Sequence, residues 1–342
     1  MSAGTTRGAD RHTVRVWRSP LRGAAWLVWR QHRWTVRLFA VLVAVCAAGA
    51  VVLRLRMAGF IDSHHIAGCS EISRLPACAG TQDAVAAFRA RYTAPVNLIT
   101  TAMALLPAAA GMFLGAPLIA RELEHGTARL AWTQSVSRAR WLAAKCAVPA
   151  AIVLVASSAL AALVTWCLRP ALDEVSGVYW YTQRAFDALG PVPVAHCLAA
   201  FVTGVLTGLV VRRTLPAVAL TAVLVGFLTY GFATVRPHLA ETVTTWSASG
   251  ATDASELPDA SWYQGGGLLT ASGVRLPDAS CAAGEGYAAC GDGHEVVAAY
   301  LDSHPVTQHW QLAWTESALA VGVAVLLAAA LFPVASRVLR HR

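Results

Sequence analysis

Residues 192–211 read VPVAHCLAAFVTGVLTGLVV, residues 212–215 read RRTL, and residues 216–235 read PAVALTAVLVGFLTYGFATV. Each apolar run is about 20 residues long, which as a helix rises roughly 30 Å and matches the hydrocarbon thickness of a bilayer. The short segment between them leaves room only for a tight turn, and it begins with two arginines. The stretch therefore predicts a hairpin of two transmembrane helices.

The composition of the whole chain supports a membrane protein. Of its 342 residues, 56% are hydrophobic and 13% are charged, whereas a soluble domain has about 25% charged residues. We predict an all-α integral membrane protein with six transmembrane helices and two larger extracytoplasmic loops, at 58–95 and 237–310. The aromatic residues of the second loop indicate that it contains some packed structure. The predicted spans are 36–57, 97–119, 144–168, 192–211, 216–235 and 313–335, between a cytoplasmic segment 1–35 and a tail 336–342.

The distribution of charge predicts the orientation. If the N-terminus is cytoplasmic, 18 of the 27 basic residues lie on the cytoplasmic side, with only Asp10, Glu122 and Glu124 of the 19 acids. Basic residues are enriched in cytoplasmic loops. Both termini are therefore predicted to be cytoplasmic. The bilayer accounts for the net charge of +8, and no nucleic-acid partner is expected.

Two features near the N-terminus have alternative interpretations. Residues 14–34 predict an amphipathic helix on the cytoplasmic membrane surface, with Ser19-Pro20 as a start signal and several tryptophans and arginines suited to lipid headgroups. The alternative is an ordinary basic flank of the first span. The sequence Ala48-Gly49-Ala50 fits a signal-peptide cleavage pattern, but it lies inside the apolar run, so we predict an uncleaved first span.

The cysteines fall into two groups. Two lie in each extracytoplasmic loop, where disulfides form and persist, and we predict the local bridges Cys69–Cys78 and Cys281–Cys290, with two inter-loop pairings as alternatives. Zinc is a further alternative, although the spacing matches no compact finger; the neighbouring histidines are His64, His65 and His294. The remaining thiols are expected to pack as small apolar groups; they are Cys46, Cys146, Cys167 and Cys197.

The sequence contains no motif of a self-contained enzyme. Its only lysine, Lys145, follows Ala144, so the Gly-Lys-Ser/Thr of a phosphate-binding loop is absent. Gly-x-Ser-x-Gly is absent as well, and we predict no metal site. An acid at the edge of the last span, Glu316, is a candidate functional residue; the alternative is a carboxylate that reaches water at the interface. Gly204 and Gly208 form a Gly-x-x-x-Gly pattern, which predicts close helix approach within the chain or at a dimer seam.

The loop between the second and third spans is the most informative segment. It contains two of the three cytoplasmic acids in Arg121-Glu122-Leu123-Glu124-His125-Gly126-Thr127, and Gly126 is a turn or helix-stop signal. A solvated loop with arginine anchors would also explain this composition.

This segment resembles the loop after the second span of ABC-2-type permeases, the membrane subunits of many bacterial ABC exporters. In that family an acid, a second acid two residues later and Gly-Thr are followed by a basic residue before the third span. The regions from Phe186 to Pro216 and from Trp310 to Glu316 are also similar to a branch of the family. The matching residues of the loop are Glu122, Glu124, Gly126, Thr127 and Lys145.

The resemblance implies that residues 36–335 form one ABC-2-type transmembrane domain in a bacterial plasma membrane. It implies the permease subunit of an ATP-driven exporter, paired with an identical or homologous permease and coupled through residues 121–140 to two copies of a separate ATPase. ATP and Mg would be used by that ATPase, and this chain would bind no cofactor. A membrane-anchored sensor whose outer loops recognise a ligand is the alternative function. An intramembrane enzyme is a third, with His196 and Glu316 as its obvious polar groups.

Overall fold

The computed structural model describes residues 44–45, 47–70, 76–126, 138–172, 175–247, 260–277 and 296–340. The chain divides into two units, Met1–Gly49 and Ala50–Arg342, and nearly all of the described residues belong to the second. The predicted surface helix at 14–34, the first part of the predicted first span, Cys46 and the predicted bridge Cys281–Cys290 lie outside the described residues.

Helices account for most of the described chain. Helices α2 and α3 are continuous through a π-helical segment, Ala110–Gly115. Short 3-10 turns precede α2, follow α7 and precede α8; they are Pro76–Cys78, Arg236–His238 and Val306–Gln308. The α-helices are α1 (47–64), α2 (Gln82–Ala109), α3 (Ala116–Glu124), α4 (Arg138–Leu168), α5 (Gln183–Ala188), α6 (Val192–Val211), α7 (Thr214–Val235) and α8 (His309–Arg340).

Five helical segments of the described chain are long and apolar enough to cross a membrane. They contain nearly all of predicted spans two to six. Of the first predicted span, 36–57, the structure describes residues 44, 45 and 47–57, and these residues are helical. The five segments are Gln82–Glu124, Lys145–Leu168, Val192–Val211, Thr214–His238 and Val306–Arg337.

Helix α6 is the central helix of the bundle. Of its most apolar part, 67% is buried within the protein, against 11% for α7. It packs against α2, α3, α4, α7 and α8, which explains why its sequence is apolar on every side. Helix α7 instead exposes large apolar side chains such as Phe227 and Tyr230, as expected for a surface in contact with lipid.

The Gly-x-x-x-Gly pattern of α6 allows close packing within the chain. A Cβ atom at Gly204 would lie 2.3 Å from the carbonyl oxygen of Gly111, and one at Gly208 would lie 2.4 Å from that of Ala116. Any side chain at either position would therefore collide with the backbone of the π-helical segment or of α3. The predicted close approach is confirmed, and its partner lies in the same chain.

The predicted first loop, 58–95, is largely helical. Helix α1 continues to residue 64 and α2 begins at Gln82, because the apolar faces of both helices continue past the predicted membrane boundaries. Met57 and Ile61 of α1 share a buried cluster with Phe88 of α2. The predicted disulfide between Cys69 and Cys78 is present, so these two sulfurs bond to each other and are not available as zinc ligands.

The membrane-spanning part is helical as predicted, but the second predicted loop adds a four-stranded antiparallel sheet in the order β1-β4-β2-β3. Its strands are rich in valine, threonine and aromatic residues, which favour strands. Trp180 ties the sheet to the helices: it is 2% exposed, and its Nε1 donates a hydrogen bond of 2.7 Å to the carbonyl oxygen of Ala260. The strands are β1 (Val243–Ser247), β2 (Trp262–Thr270), β3 (Arg275–Pro277) and β4 (Val296–His304).

The bundle thus has two distinct ends. We call the end next to the sheet, where α4 and α7 finish and α6 and α8 begin, the sheet end. The opposite end carries the turn between α6 and α7, at Arg212 and Arg213, and we call it the hairpin end.

Candidate functional site

Four ionisable side chains are buried together at the sheet end, and we call them the buried charge cluster. Asp187 lies on α5, His196 on α6, Arg236 in the turn after α7, and Glu316 on α8. Their exposed fractions are between 0% and 4%. Groups of this kind are rarely buried unless they are paired.

Arg236 is the centre of this cluster. Its Nε donates to Oε2 of Glu316 at 2.7 Å, and its Nη2 donates to Oε1 of Glu316 at 2.9 Å and to Oδ1 of Asp187 at 2.5 Å. The guanidinium carbon lies 3.9 Å from the centre of the Phe186 ring. The two-pronged contact with Glu316 is the geometry in which arginine binds a carboxylate most strongly. One guanidinium therefore joins the ends of α5, α7 and α8.

His196 completes the cluster from α6. Its Nε2 lies 3.2 Å from Oε1 of Glu316, but this approach lacks hydrogen-bond alignment, and Nε2 has no other partner among the described residues. The imidazole ring stacks on Phe232 with the ring centres 4.9 Å apart. With both carboxylates ionised, Asp187, Glu316 and Arg236 together have a formal charge of −1.

The electrostatics of Asp187 follow from opposing effects. Burial raises the pKa of this carboxyl group, because the charged form is desolvated, and the adjacent positive charge of Arg236 acts in the opposite direction. The carboxylate is therefore stabilised in place mainly by its arginine partner.

Glu316 does not reach water, so the interfacial alternative for this residue is wrong. Sequence reasoning identified Glu316 and His196 but missed Arg236 and Asp187. A signal was present, because an acid within a span usually needs a positive partner, and Arg236 directly follows the apolar run 216–235 on the same side of the membrane. Which of the several basic residues near that side would pair with Glu316 depends on how α7 and α8 both pack against α6.

The cluster is suited to fastening helices rather than to chemistry. Ligand atoms of Asp187, His196 and Glu316 lie within 4.8 Å of one another, as in a metal site, but Arg236 already supplies the positive charge between the carboxylates. Both oxygens of Glu316 are engaged, so it is not a free general base. The cavity beside His196 has a volume of about 10 Å³, which is room for about one water molecule and too little for a substrate.

A second group of acids lies at the hairpin end, where α3 finishes. Glu124 accepts hydrogen bonds from the backbone N–H of Thr214 at 2.9 Å and from its Oγ1 at 2.7 Å. Thr214 is the first residue of α7, so a carboxylate from α3 caps the N-terminus of α7, where the unpaired N–H groups and the helix dipole favour negative charge. Glu122 forms an ion pair with Lys145 in the first turns of α4.

These contacts define what we call the acidic clamp: Glu122 and Glu124 with their partners Lys145 and Thr214. Helix α3 ends as predicted, because His125 caps it and Gly126 has a φ of +71°, a conformation natural for glycine after a helix. Thr127 lies outside the described residues. The segment is not a solvated loop alone, since both of its acids are bound to neighbouring helices, while Glu124, His125 and Gly126 remain exposed to solvent.

The three membrane cysteines that the structure describes pack as expected. Cys167 and Cys197 are buried and Cys146 is half-buried, and all three are free thiols. Cys197 lies in an apolar cluster with Phe201 and Val205.

Comparisons with known proteins place the chain in a family. Residues 40–236, more than half of the chain, match the family model described as ABC-2 membrane transporter related. No curated protein and no solved structure gave a match. The matched range contains the acidic clamp and three members of the buried charge cluster, and it ends at Arg236. The chain therefore belongs to the ABC-2 membrane transporter related family, as its resemblance to ABC-2-type permeases implied.

Proposed function

We propose that this chain is the permease subunit of an ATP-driven exporter in a bacterial plasma membrane, with the hairpin end in the cytoplasm. An identical or homologous permease would complete the substrate path, and two copies of a separate ABC ATPase would dock at the hairpin end. Family membership and the five long apolar helices support this function. The concentration of basic residues on one side supports the orientation.

The acidic clamp is the observation that carries the proposal. One short acidic segment at the end of α3 is bound to the beginning of α4 through Lys145 and to the beginning of α7 through Thr214. A displacement of this segment would therefore be transmitted to two membrane-spanning helices at once. This is the arrangement that an ATPase acting from the cytoplasm needs.

The surface beside the clamp suits a docked partner. Glu124 and His125 are exposed, and Leu215 in the first turn of α7 exposes 83% of its surface. Closure of the ATPases would push on residues 121–140, and α3 would move the first turns of α4 and α7. ATP and Mg would stay with the ATPase, and this chain would supply mechanical coupling.

Paired substitutions test this transmission. In the complex with the ATPase, we expect Glu124→Gln and Thr214→Val each to insert normally in the membrane and to lower substrate-stimulated ATP hydrolysis several-fold, because either change loosens the link between α3 and α7. Glu124→Lys should also weaken co-purification of the ATPase, because it reverses a charge at the exposed surface. Leu123→Ala is the control for simple loop packing.

Two results would contradict the proposal. If Glu124→Lys assembles and hydrolyses ATP like the wild-type complex, the clamp is not the coupling element. If the wild-type chain, purified from its own host, retains no ATPase, the sensor function is favoured over transport.

A further inference from the structure

A long cleft opens between the membrane helices at the sheet end, and neither family membership nor the proposed function assigns it a role. Its volume is about 960 Å³. One wall is a single face of α4, from Leu154 to Trp166, extended by Arg169 just after the helix. The other wall is the first four turns of α8, and the start of α6 forms the floor. The wall along α4 is about 22 Å long, which exceeds the roughly 15 Å of hydrocarbon in one leaflet of a bilayer.

Positive and polar groups line the part of the cleft that is next to the sheet end. Arg54 and Arg169 both line it, and within the described residues neither has an ion-pair partner. Arg54 donates a hydrogen bond to the carbonyl oxygen of Trp166, and its guanidinium lies 4.4 Å from the centre of the Trp166 ring. Because a guanidinium has five N–H donors, most of those of Arg54 remain available to a ligand.

A buried histidine reinforces this polar part. His309 lines the cleft and is only 9% exposed, yet its Nε2 has no hydrogen-bond partner among the described residues. A buried polar atom without a partner is unfavourable, and because Nε2 has less than 1 Å² of exposed surface, a ligand in the cleft would bond to it only after a small shift of the ring. Trp310 and Trp314 lie nearby on α8 and line the same region, with the amphipathic character that places tryptophan at headgroup level.

The rest of the cleft, farther from the sheet end, is mostly apolar, with Ser158 as a polar exception. Its lining there consists of side chains such as Leu154, Ala162, Leu198 and Val321. A cleft that is cationic at one end and mostly apolar over about 12 Å of α4, from Leu154 to Ala162, is complementary to an anionic amphiphile.

We propose that this cleft binds an anionic lipid from the surrounding membrane, with its headgroup against Arg54, Arg169 and His309 and one acyl chain along α4. The site requires no ATPase, so it stands or falls independently of the proposed function. Anionic headgroups meet basic pockets between helices with an attraction that reaches about 1 kcal/mol per arginine near the membrane surface, or about fivefold in occupancy.

Photolabelling of the purified chain tests the site. The chain is placed in phosphatidylcholine nanodiscs that contain a small fraction of a phosphatidylglycerol with a photoreactive group in its acyl chain, and a phosphatidylcholine with the same acyl chain serves as the neutral probe. We expect the phosphatidylglycerol probe to label peptides that contain Ala162, Val194 or Val321 on the order of tenfold more than the neutral probe.

Variants of the chain assign the selectivity to the cleft. The double substitution Arg54→Gln and Arg169→Gln should reduce phosphatidylglycerol labelling to the level of the neutral probe. Arg56→Gln, on the same helix but outside the lining, is the matched control and should leave labelling unchanged. Ala162→Trp, at an exposed position of the lining, should block labelling by both probes. Equal labelling by the two probes, labelling confined to other surfaces, or an equal loss in Arg56→Gln would overturn the proposal.

Discussion

At the sheet end, Asp187 and Glu316 share the guanidinium of Arg236 out of contact with solvent, whereas at the hairpin end Glu124 binds Thr214 at an exposed surface. Both arrangements use carboxylates to join helices that are distant in sequence. They differ in burial. Burial determines how much free energy each contact contributes to stability and how easily the contact breaks.

The energetic difference is large. Removing one partner of a buried ion pair costs about 3–5 kcal/mol, because the other charge is left desolvated and unpaired. An exposed pair contributes about 0–1 kcal/mol, because water competes for both partners. The sheet end is therefore expected to keep one arrangement of α5, α7 and α8, while the hairpin end can rearrange at low cost, as an element driven by a partner must.

The strongest test of this contrast is Arg236→Leu. The substitution leaves two buried carboxylates without their shared cation, and we expect a loss of about 3–5 kcal/mol in stability, seen as a large drop in the melting temperature of the detergent-purified protein. Arg184→Leu, at an exposed position on α5 of the same end, is the control and should melt like the wild type. If the two variants melt at the same temperature, the buried charge cluster does not hold α5, α7 and α8 together.

Charge counting predicts a smaller effect for Glu316→Gln. This change removes the charge-assisted contact with Arg236, worth about 1.5–3 kcal/mol, but it leaves Arg236 paired with Asp187 and makes the formal charge of the cluster zero. Glu316→Gln should therefore melt between the wild type and Arg236→Leu. A variant as unstable as Arg236→Leu would show that the geometry of Glu316, and not the charge balance, holds the helices together.

Much of this architecture could be predicted from the sequence, because membrane spans depend on local composition. The hairpin at 192–235 and the close approach at Gly204 follow from apolar length and from the absence of a side chain. The buried charge cluster could not be predicted in full, since Asp187 and Glu316 are far apart in the chain and only packing brings them to Arg236. The sheet was missed because β1 and β3 are short and β2 contains three consecutive glycines, Gly265 to Gly267, which are unfavourable in strands, so the aromatic residues indicated packing but not strands.

Between the two ends, α6 lies in close contact with the π-helical segment. The substitution Gly204→Ala tests how tightly these two segments pack. Its added Cβ would lie 2.3 Å from a backbone oxygen that cannot rotate away, and overpacking of this kind costs about 1–3 kcal/mol. Gly226→Ala on α7 is the matched control, because nothing lies within 4 Å of its Cβ position. Gly226→Ala should be neutral or slightly stabilising, since alanine favours helix. Equal melting of the two variants would argue that α6 and the π segment separate readily.

The smallest effect on stability is expected for the ion pair of Glu122 and Lys145. The size of this effect shows whether the hairpin end is a movable coupling element or is held as rigidly as the sheet end. The side chains are 28% and 25% exposed, so water and salt screen their attraction and we expect about 0–1 kcal/mol. A double-mutant cycle with Glu122→Gln and Lys145→Met isolates the pair from other contacts of each residue. The coupling energy should shrink further as salt shortens the range of electrostatic attraction, whereas the melting deficit of Arg236→Leu should persist at high salt. A coupling energy above about 2 kcal/mol that does not respond to salt would mean that the hairpin end is fastened like the sheet end. In that case the acidic clamp could not move at low cost, and the proposed transmission from the ATPase would have to enter the bundle elsewhere.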